Sequence, residues 1–475
     1  MKINEHTIKN YLFTVLLLVT VAAISNAFYS DLQRANNEKM MLEYFERQEK
    51  DTLGKTPAEK NFMDYLMLKD PATNLVPFER LVQAEEQAKD SRKLYPRSST
   101  TLTWEDMGPS TIGGRTRAIM MDPNDATGKG MWLGSVSGGL WYTNDIYSDS
   151  FTMARKDNSW SNISVSALAY DPNNTNILYA GSGERVGHKY PGVGIWKSTD
   201  AGQSWSLLPS PATEFDYVED IVVRNENGTS AIYVTIEMQL FGPSATGTGP
   251  DGTFHNQYEG VVKSTDGGNS WAFAGGFQSA SPRLHFADLH LDANNRLWAG
   301  GIDGLYSTSK QGGHLYYTDD GVTWNESTLN TSVIGSMTDL DRVLIRMAPS
   351  NSSIGYAMIG NRTNIVSFQK TTDAGENWTE LIGNAPQDAG INFGCNQAFY
   401  DLSLEVSPTD PNIVYNGCLE VYRTSDGGNS FTRINQWEPT EYGASLDTYI
   451  HADHHNIIAT SSDSLIFAND GGVSI

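Results

Sequence analysis

Ser198–Trp205 reads STDAGQSW, and the phrase returns as STDGGNSW at Ser264–Trp271, YTDDGVTW at Tyr317–Trp324, TTDAGENW at Thr371–Trp378 and TSDGGNSF at Thr424–Phe431. Each copy carries an Asp, then a Gly two positions on, then a closing aromatic, and each lies between short apolar runs. That is the grammar of a hairpin turn: Gly accepts a positive φ, and the Asp carboxylate ties down nearby backbone N–H groups. The aromatic then re-enters the sheet and packs. Aligned on that aromatic, the acids are Asp200, Asp266, Asp319, Asp373 and Asp426, spaced 66, 53, 54 and 53 residues apart. Looser copies surround Asp145 and Asp470. A period near 50 residues with short strands is what stacked four-stranded blades produce. The expectation is an all-β chain: a β-propeller over residues 101–475, with Trp205, Trp271, Trp324, Trp378 and Phe431 in equivalent buried positions.

Seven apolar runs ending in turn signals read as innermost strands: RTRAIMMDP, VSALAYDP, YVEDIVVRN, HFADLHLDA, RVLIRMAP, YDLSLEVSP and IHADHHNIIA. Seven blades are therefore expected. The last is short. Either TLTWEDMG at Thr101–Gly108 supplies its outer strand and closes the ring, or the chain is a fragment of a longer protein.

Ahead of the repeats, residues 1–27 read as a signal peptide. Lys2 and Lys9 precede the apolar run Tyr11–Ile24, and Ser25–Asn26–Ala27 is a small-residue cleavage site. The rival is an uncleaved anchor, for which the run is short. Residues 28–100 are charged, with apolar residues at helical spacing, and are expected to form a helical or partly ordered arm. A formal net charge of −23 argues against nucleic acid and anionic lipid as partners. No membrane span is expected after signal cleavage. The two cysteines, Cys395 and Cys418, read either as one bridge or as two buried thiols.

The repeated phrase resembles the Asp-box (BNR) repeat of sialidases, sortilin-type receptors and xyloglucanase-type glycoside hydrolases. GPSTIGGRTRAIMMDPND, GSVSGGLWYT and YIHADHHNI resemble secreted Bacteroidetes proteins with BNR or sortilin-like repeats, which implies secretion or cell-surface display by a Gram-negative bacterium. A xyloglucanase-like hydrolase would carry one acid in a TDVGG-like phrase of its first blade. Here SVSGGLWYT (Ser135–Thr143) places Ser137 at that position. A sialidase would need an arginine triad, for which Arg115, Arg117, Arg185, Arg283, Arg342 and Arg346 are available, but the FRIP-type opening motif is missing.

Loops joining second to third strands vary most in length, and binding usually resides on such loops. They nominate Arg185, His188, Tyr190, His255 and Tyr258 as ligand contacts, with Tyr190, Phe241 and Tyr258 stacking on sugar faces. Asp288 and His290 are nominated from an inner strand. In HADHH, strand alternation places His451, Asp453 and His455 on one face. That pattern suits a metal half-site or, as the favoured reading, hydrogen bonding to neighbouring strands with Asp453 fixing an imidazole tautomer. No cofactor is expected. Three functions stay open: a module binding extracellular glycan or a surface protein, a glycoside hydrolase, and a structural component of adhesion or motility machinery.

Overall fold

The computed structural model describes residues 114–475 apart from 149–151, 158–159, 161, 186–191, 213–214, 238–259, 278–283, 304–311, 382–392, 394, 438–448 and 462–463. It also describes Ala84, Gln87, Ala88, Asp90 and Ser91, which are helical. The signal peptide, the rest of the expected arm and the strand around Trp104 lie outside the described residues. The chain divides into two compact units, one of Ser91–Gln239 with Asn256–Ile475, the other of Met1–Asp90 with Leu240–His255. All the described strands belong to the first.

Seven antiparallel meanders follow one another along this unit, six of four strands and a last of three among the described residues. The fourth and fifth are joined by one bridging pair, Ile302 and Arg342. Their first strands are Thr116–Met121, Val165–Asp171, Tyr217–Glu226, His285–Leu291, Leu340–Ala348, Ser403–Val406 and His454–Ala459. Each packs against the next in order, and the seventh packs against the first. The fold is a β-propeller with these strands innermost.

Glycine sets the spacing between meanders. Gly134, Gly181 and Gly300 occupy matching places in second strands, and a Cβ there would overlap Val165, Val218 and Val343 of the next inner strand. Side chains then stitch inner strand to inner strand. Ser166 Oγ donates to Val218 O (2.6 Å). Leu289 N donates to Asp220 (2.8 Å), Ile345 N to Asp288 (3.1 Å) and Met347 N to His290 Nε2 (2.9 Å). Backbone groups left over where the inner strands converge thus find partners, as buried polar groups must.

The repeated turns hold themselves as expected. Asp200 accepts from Ser198 Oγ and Ser204 N, both at 2.8 Å, while Gly202 N donates to Ser198 Oγ (2.8 Å). The turns at Asp266, Asp373 and Asp426 repeat this pattern. These hydrogen bonds hold the Asp200, Asp266 and Asp426 carboxyls down at about 2. The third copy requires a correction. Asp320, not Asp319, accepts from Thr318 Oγ1 (3.2 Å), Val322 N (2.8 Å) and Thr323 N (2.7 Å). That turn is one residue shorter, because Gly321 N already reaches Thr318 Oγ1 at 2.9 Å. Asp319 instead pairs with Arg296 (2.6 Å).

The closing aromatics differ from expectation in depth. Phe431 is buried, but Trp205, Trp271, Trp324 and Trp378 are half-buried. They cover seams between meanders: Trp205 lies edge-on to Trp132 at 5.9 Å, and Trp324 to Tyr233 at 6.3 Å. A lysine ahead of the turn adds to the seam. Lys197, Lys263 and Lys370 donate to Gly267 O, Gly321 O and Gly427 O of the following turn at 2.9, 3.1 and 2.9 Å. Each also covers a tyrosine ring of its own meander: Tyr179, Tyr233 and Tyr356.

Candidate active site

The inner strands enclose a central cavity of about 90 Å³, lined by residues from all seven meanders. Ionisable groups in and around it form two layers. In one, Asp288 holds Arg346 at 2.8 Å, with Asp220 beside them. Burial, then repulsion from Asp288, pushes the Asp220 carboxyl up to about 7. Burial likewise pushes Glu405 up to about 7 and His290 down to about 3. Asp288 and His290 are therefore spent on interstrand contacts.

The other layer gathers residues from the first, second, third, sixth and seventh meanders. Arg117 pairs with Glu184 and Glu219, each at 3.3 Å, and Arg115 with Glu184 at 3.2 Å. Arg115 Nη1 also donates to the Tyr400 hydroxyl, which donates in turn to Asp470 (3.2 Å). His455 Nε2 reaches the same Asp470 oxygen at 2.7 Å, and its ring stands edge-on to Tyr400. Burial favours the neutral acid at Asp470, but the His455 hydrogen bond and Arg115 outweigh it and hold the carboxyl below its ordinary value. The His455 side chain is 1% exposed, and burial takes its proton affinity down to about 4.

Beside this layer lies a second carboxyl group with the opposite bias. Asp401 is buried behind the half-buried Asp453, and the two hydrogen-bond to each other. Gln397 Nε2 donates to both, at 3.1 Å to Asp401 and 2.6 Å to Asp453. Burial, then Asp453, raises Asp401 to about 8. Burial, then Asp470, raises Asp453. Such a pair shares one proton near neutrality. The disulfide Cys395–Cys418 backs it, with Cys418 Sγ 3.2 Å from Asp401. Among the described residues the one cluster with metal-ligand spacing is Cys395, Asp401 and Cys418, and the disulfide leaves it no thiolate.

The expected face shared by His451, Asp453 and His455 is not formed. The last inner strand begins at His454, Asp453 takes a φ of +65°, and the register shifts at His455. Alternation is lost, so Asp453 turns to Gln397 while His455 turns to Asp470, and Asp470 rather than Asp453 fixes the imidazole. His451 is exposed and contacts Ala452 O at 3.0 Å. Arg185 is buried, paired with Glu237 at 3.4 Å and donating to Asp303 O. His188, Tyr190, Phe241, His255 and Tyr258 lie outside the described residues. Ser137 is exposed in a hairpin beside Arg115, whose carbonyl accepts from Val136 N at 3.0 Å.

No protein-family model matches the chain. Its sequence is similar to xyloglucanases: 34% identical over 116 residues to one of Acetivibrio thermocellus, covering 22% of this chain and 12% of that protein. Against the Hypocrea jecorina xyloglucanase the identity is 24% over 302 residues, 56% of this chain and 35% of that protein. Against one from a Paenibacillus species it is 29% over 278 residues, 57% and 20%. The chain thus spans about a third or less of these relatives' length. Among solved structures, the Xanthomonas campestris GH74 xyloglucanase matches with a TM-score of 0.52 at 16% identity, over 78% of this chain and 53% of that one. The extracellular domain of a hybrid two-component system from B. thetaiotaomicron matches at 0.50 and 10% identity, over 79% and 39%. These likenesses agree with the propeller fold, and no helix among the described residues is long and apolar enough to cross a membrane.

Proposed function

We propose that this chain is a secreted β-propeller that hydrolyses an extracellular glycan of the xyloglucan class. Asp453, backed by Asp401, supplies the proton to the leaving oxygen, and Asp470 is the ionised carboxylate that assists attack. The observation behind this reading is the opposite bias of carboxyl groups in one patch: Asp401 and Asp453 hold a proton, while Asp470 is held ionised. Glycoside hydrolysis needs one protonated and one ionised carboxyl, and environments that push proton affinities apart assign the roles. Similarity to xyloglucanases supplies the substrate class. The test is release of reducing ends from xyloglucan by purified protein. Asp470→Asn and Asp453→Asn should each lower the rate by about 10²-fold or more. Unchanged rates in both variants would remove the assignment.

Binding without cleavage is the second reading. It is favoured by SVSGG at Ser135–Gly139, a phrase with no acid where the hydrolases this chain resembles carry TDVGG. Retention on immobilised xyloglucan with no new reducing ends would select it.

A further inference from the structure

Four of the five arginines at the centre of the propeller are matched to carboxylates: Arg115 to Glu184, Arg117 to Glu184 and Glu219, Arg185 to Glu237, and Arg346 to Asp288. Arg342 is not. It lines the central cavity and is 8% exposed. Among the described residues its one hydrogen bond is from Nη1 to Tyr400 O at 3.4 Å, and its buried Nε has no partner. Its surroundings make the imbalance worse. Burial, then the like charge of Arg117, lowers its proton affinity to about 10, with Arg185 adding to the repulsion. Asp288 and Glu219 attract it, but each is already committed to another arginine. At neutral pH the guanidinium remains charged, and a buried charge without a counter-ion is costly.

We propose that the central cavity is a binding site for a small oxyanion of the carboxylate class, held by the Arg342 guanidinium. A guanidinium presents N–H groups that match the oxygens of a carboxylate, and here the buried Nε has no partner among the described residues. The volume is sufficient. One water needs about 10–15 Å³ by this measure, and the cavity offers about 90 Å³. The same cavity is lined by three carboxyl groups: Glu219 and Asp288 are paired with Arg117 and Arg346, and burial raises Asp220 to about 7. The site is separate from the hydrolase reading: it invokes neither Asp453 nor Asp470, and absence of glycan cleavage leaves it standing. The anion has two possible sources, a free small acid or the carboxylate of an acidic sugar.

Crystals of the full chain grown with bromoacetate test the site directly. The expected result is an anomalous bromine peak in the cavity, with the carboxylate within hydrogen-bonding distance of Arg342. In solution, calorimetric titrations with acetate, glucuronate and glucose, at ionic strength fixed with sodium chloride, separate the sources. Binding of both acids supports a free acid as occupant, and binding of glucuronate alone supports an acidic sugar. Arg342→Gln should weaken the binding at least tenfold. A cavity holding only water or halide would overturn the proposal, as would equal affinity in the folded variant or a response to glucose matching glucuronate. The crystal experiment uses the unaltered chain, so it decides the matter even if Arg342→Gln does not fold.

Discussion

Replacing Asp288 with Ala should destabilise the propeller by about 3 kcal/mol. Its carboxylate is 4% exposed and accepts from Arg346 Nη1 at 2.8 and 3.0 Å and from Ile345 N at 3.1 Å. Removing one partner of a buried pair costs roughly 3–5 kcal/mol, mostly because the other charge is left stranded. Two features favour the low end of that range. Arg346 keeps about a quarter of its surface open (24%), and loss of Asp288 relieves the repulsion felt by Asp220. The assay is urea unfolding of the wild type, Asp288→Ala, Arg346→Met and the double variant. Once Arg346 is gone the aspartate has no cation to satisfy, so its removal should cost about 2 kcal/mol less in that background, within the range of coupling energies for contacting residues. Coupling within about 0.5 kcal/mol of zero is what independent sites give, and would refute the claim that this pair joins the fourth and fifth meanders.

Asp320→Ala should lower the thermal midpoint further than Asp319→Ala, because only Asp320 holds the turn; the reverse order in a thermal melt would restore the alignment on the aromatic. Converting Cys395 and Cys418 to serine opens a loop with a sequence separation of 23, which should cost about 3 kcal/mol by chain entropy in denaturant unfolding. The Asp220 carboxyl titrates at about 7 in the folded protein and at about 3.9 unfolded, so the native state binds the extra proton between those values. Its contribution is complete below about pH 4 and is lost as pH rises to about 7. The stability of the wild type relative to Asp220→Asn should fall across that window and be flat above it. The buried histidines His290 and His455, with depressed values, act with the opposite sign but are common to both proteins and cancel in the difference.

The propeller was legible because its turns are local devices. The side-chain bonds that hold STDAGQSW together lie within its own span, from Ser198 Oγ to Ser204 N, and Ala201 N adds one to Asn176 O in its own meander. Repetition at a blade-sized interval then gave the architecture. The third turn was misread because counting back from Trp324 assumes a fixed length. Counting forward from the small residue would have found it: Thr318–x–Asp320 keeps the spacing of Ser198–x–Asp200, and the contraction falls after the acid. The lysine of KSTD at Lys197 and Lys263, and of KTTD at Lys370, was equally visible in the text. Its partner is the next meander's turn, so its meaning required the order of meanders round the ring.

The candidate site was less legible for a related reason. Alternation along HADHH presumes an uninterrupted strand, and a single Asp in the left-handed region, which Asp tolerates better than most residues, turns the chain. Tyr400 meets Arg115 across 285 residues and Asp470 across 70. Neither separation is a multiple that a repeat would flag. Residue type carried some of the information, since the six arginines noted in the sequence include all five at the axis. Being unpaired is a property of the ring as a whole. Glu184 serves both Arg115 and Arg117, Asp288 is drawn to Arg346 on the next strand round, and Arg342, four positions before Arg346 on the same face, is left without an acid among the described residues. Residues i, i+2 and i+4 of a strand share one face, so Arg342 and Arg346 look into the same cavity with the same charge, and only the placement of Asp288 distinguishes a satisfied arginine from an available one.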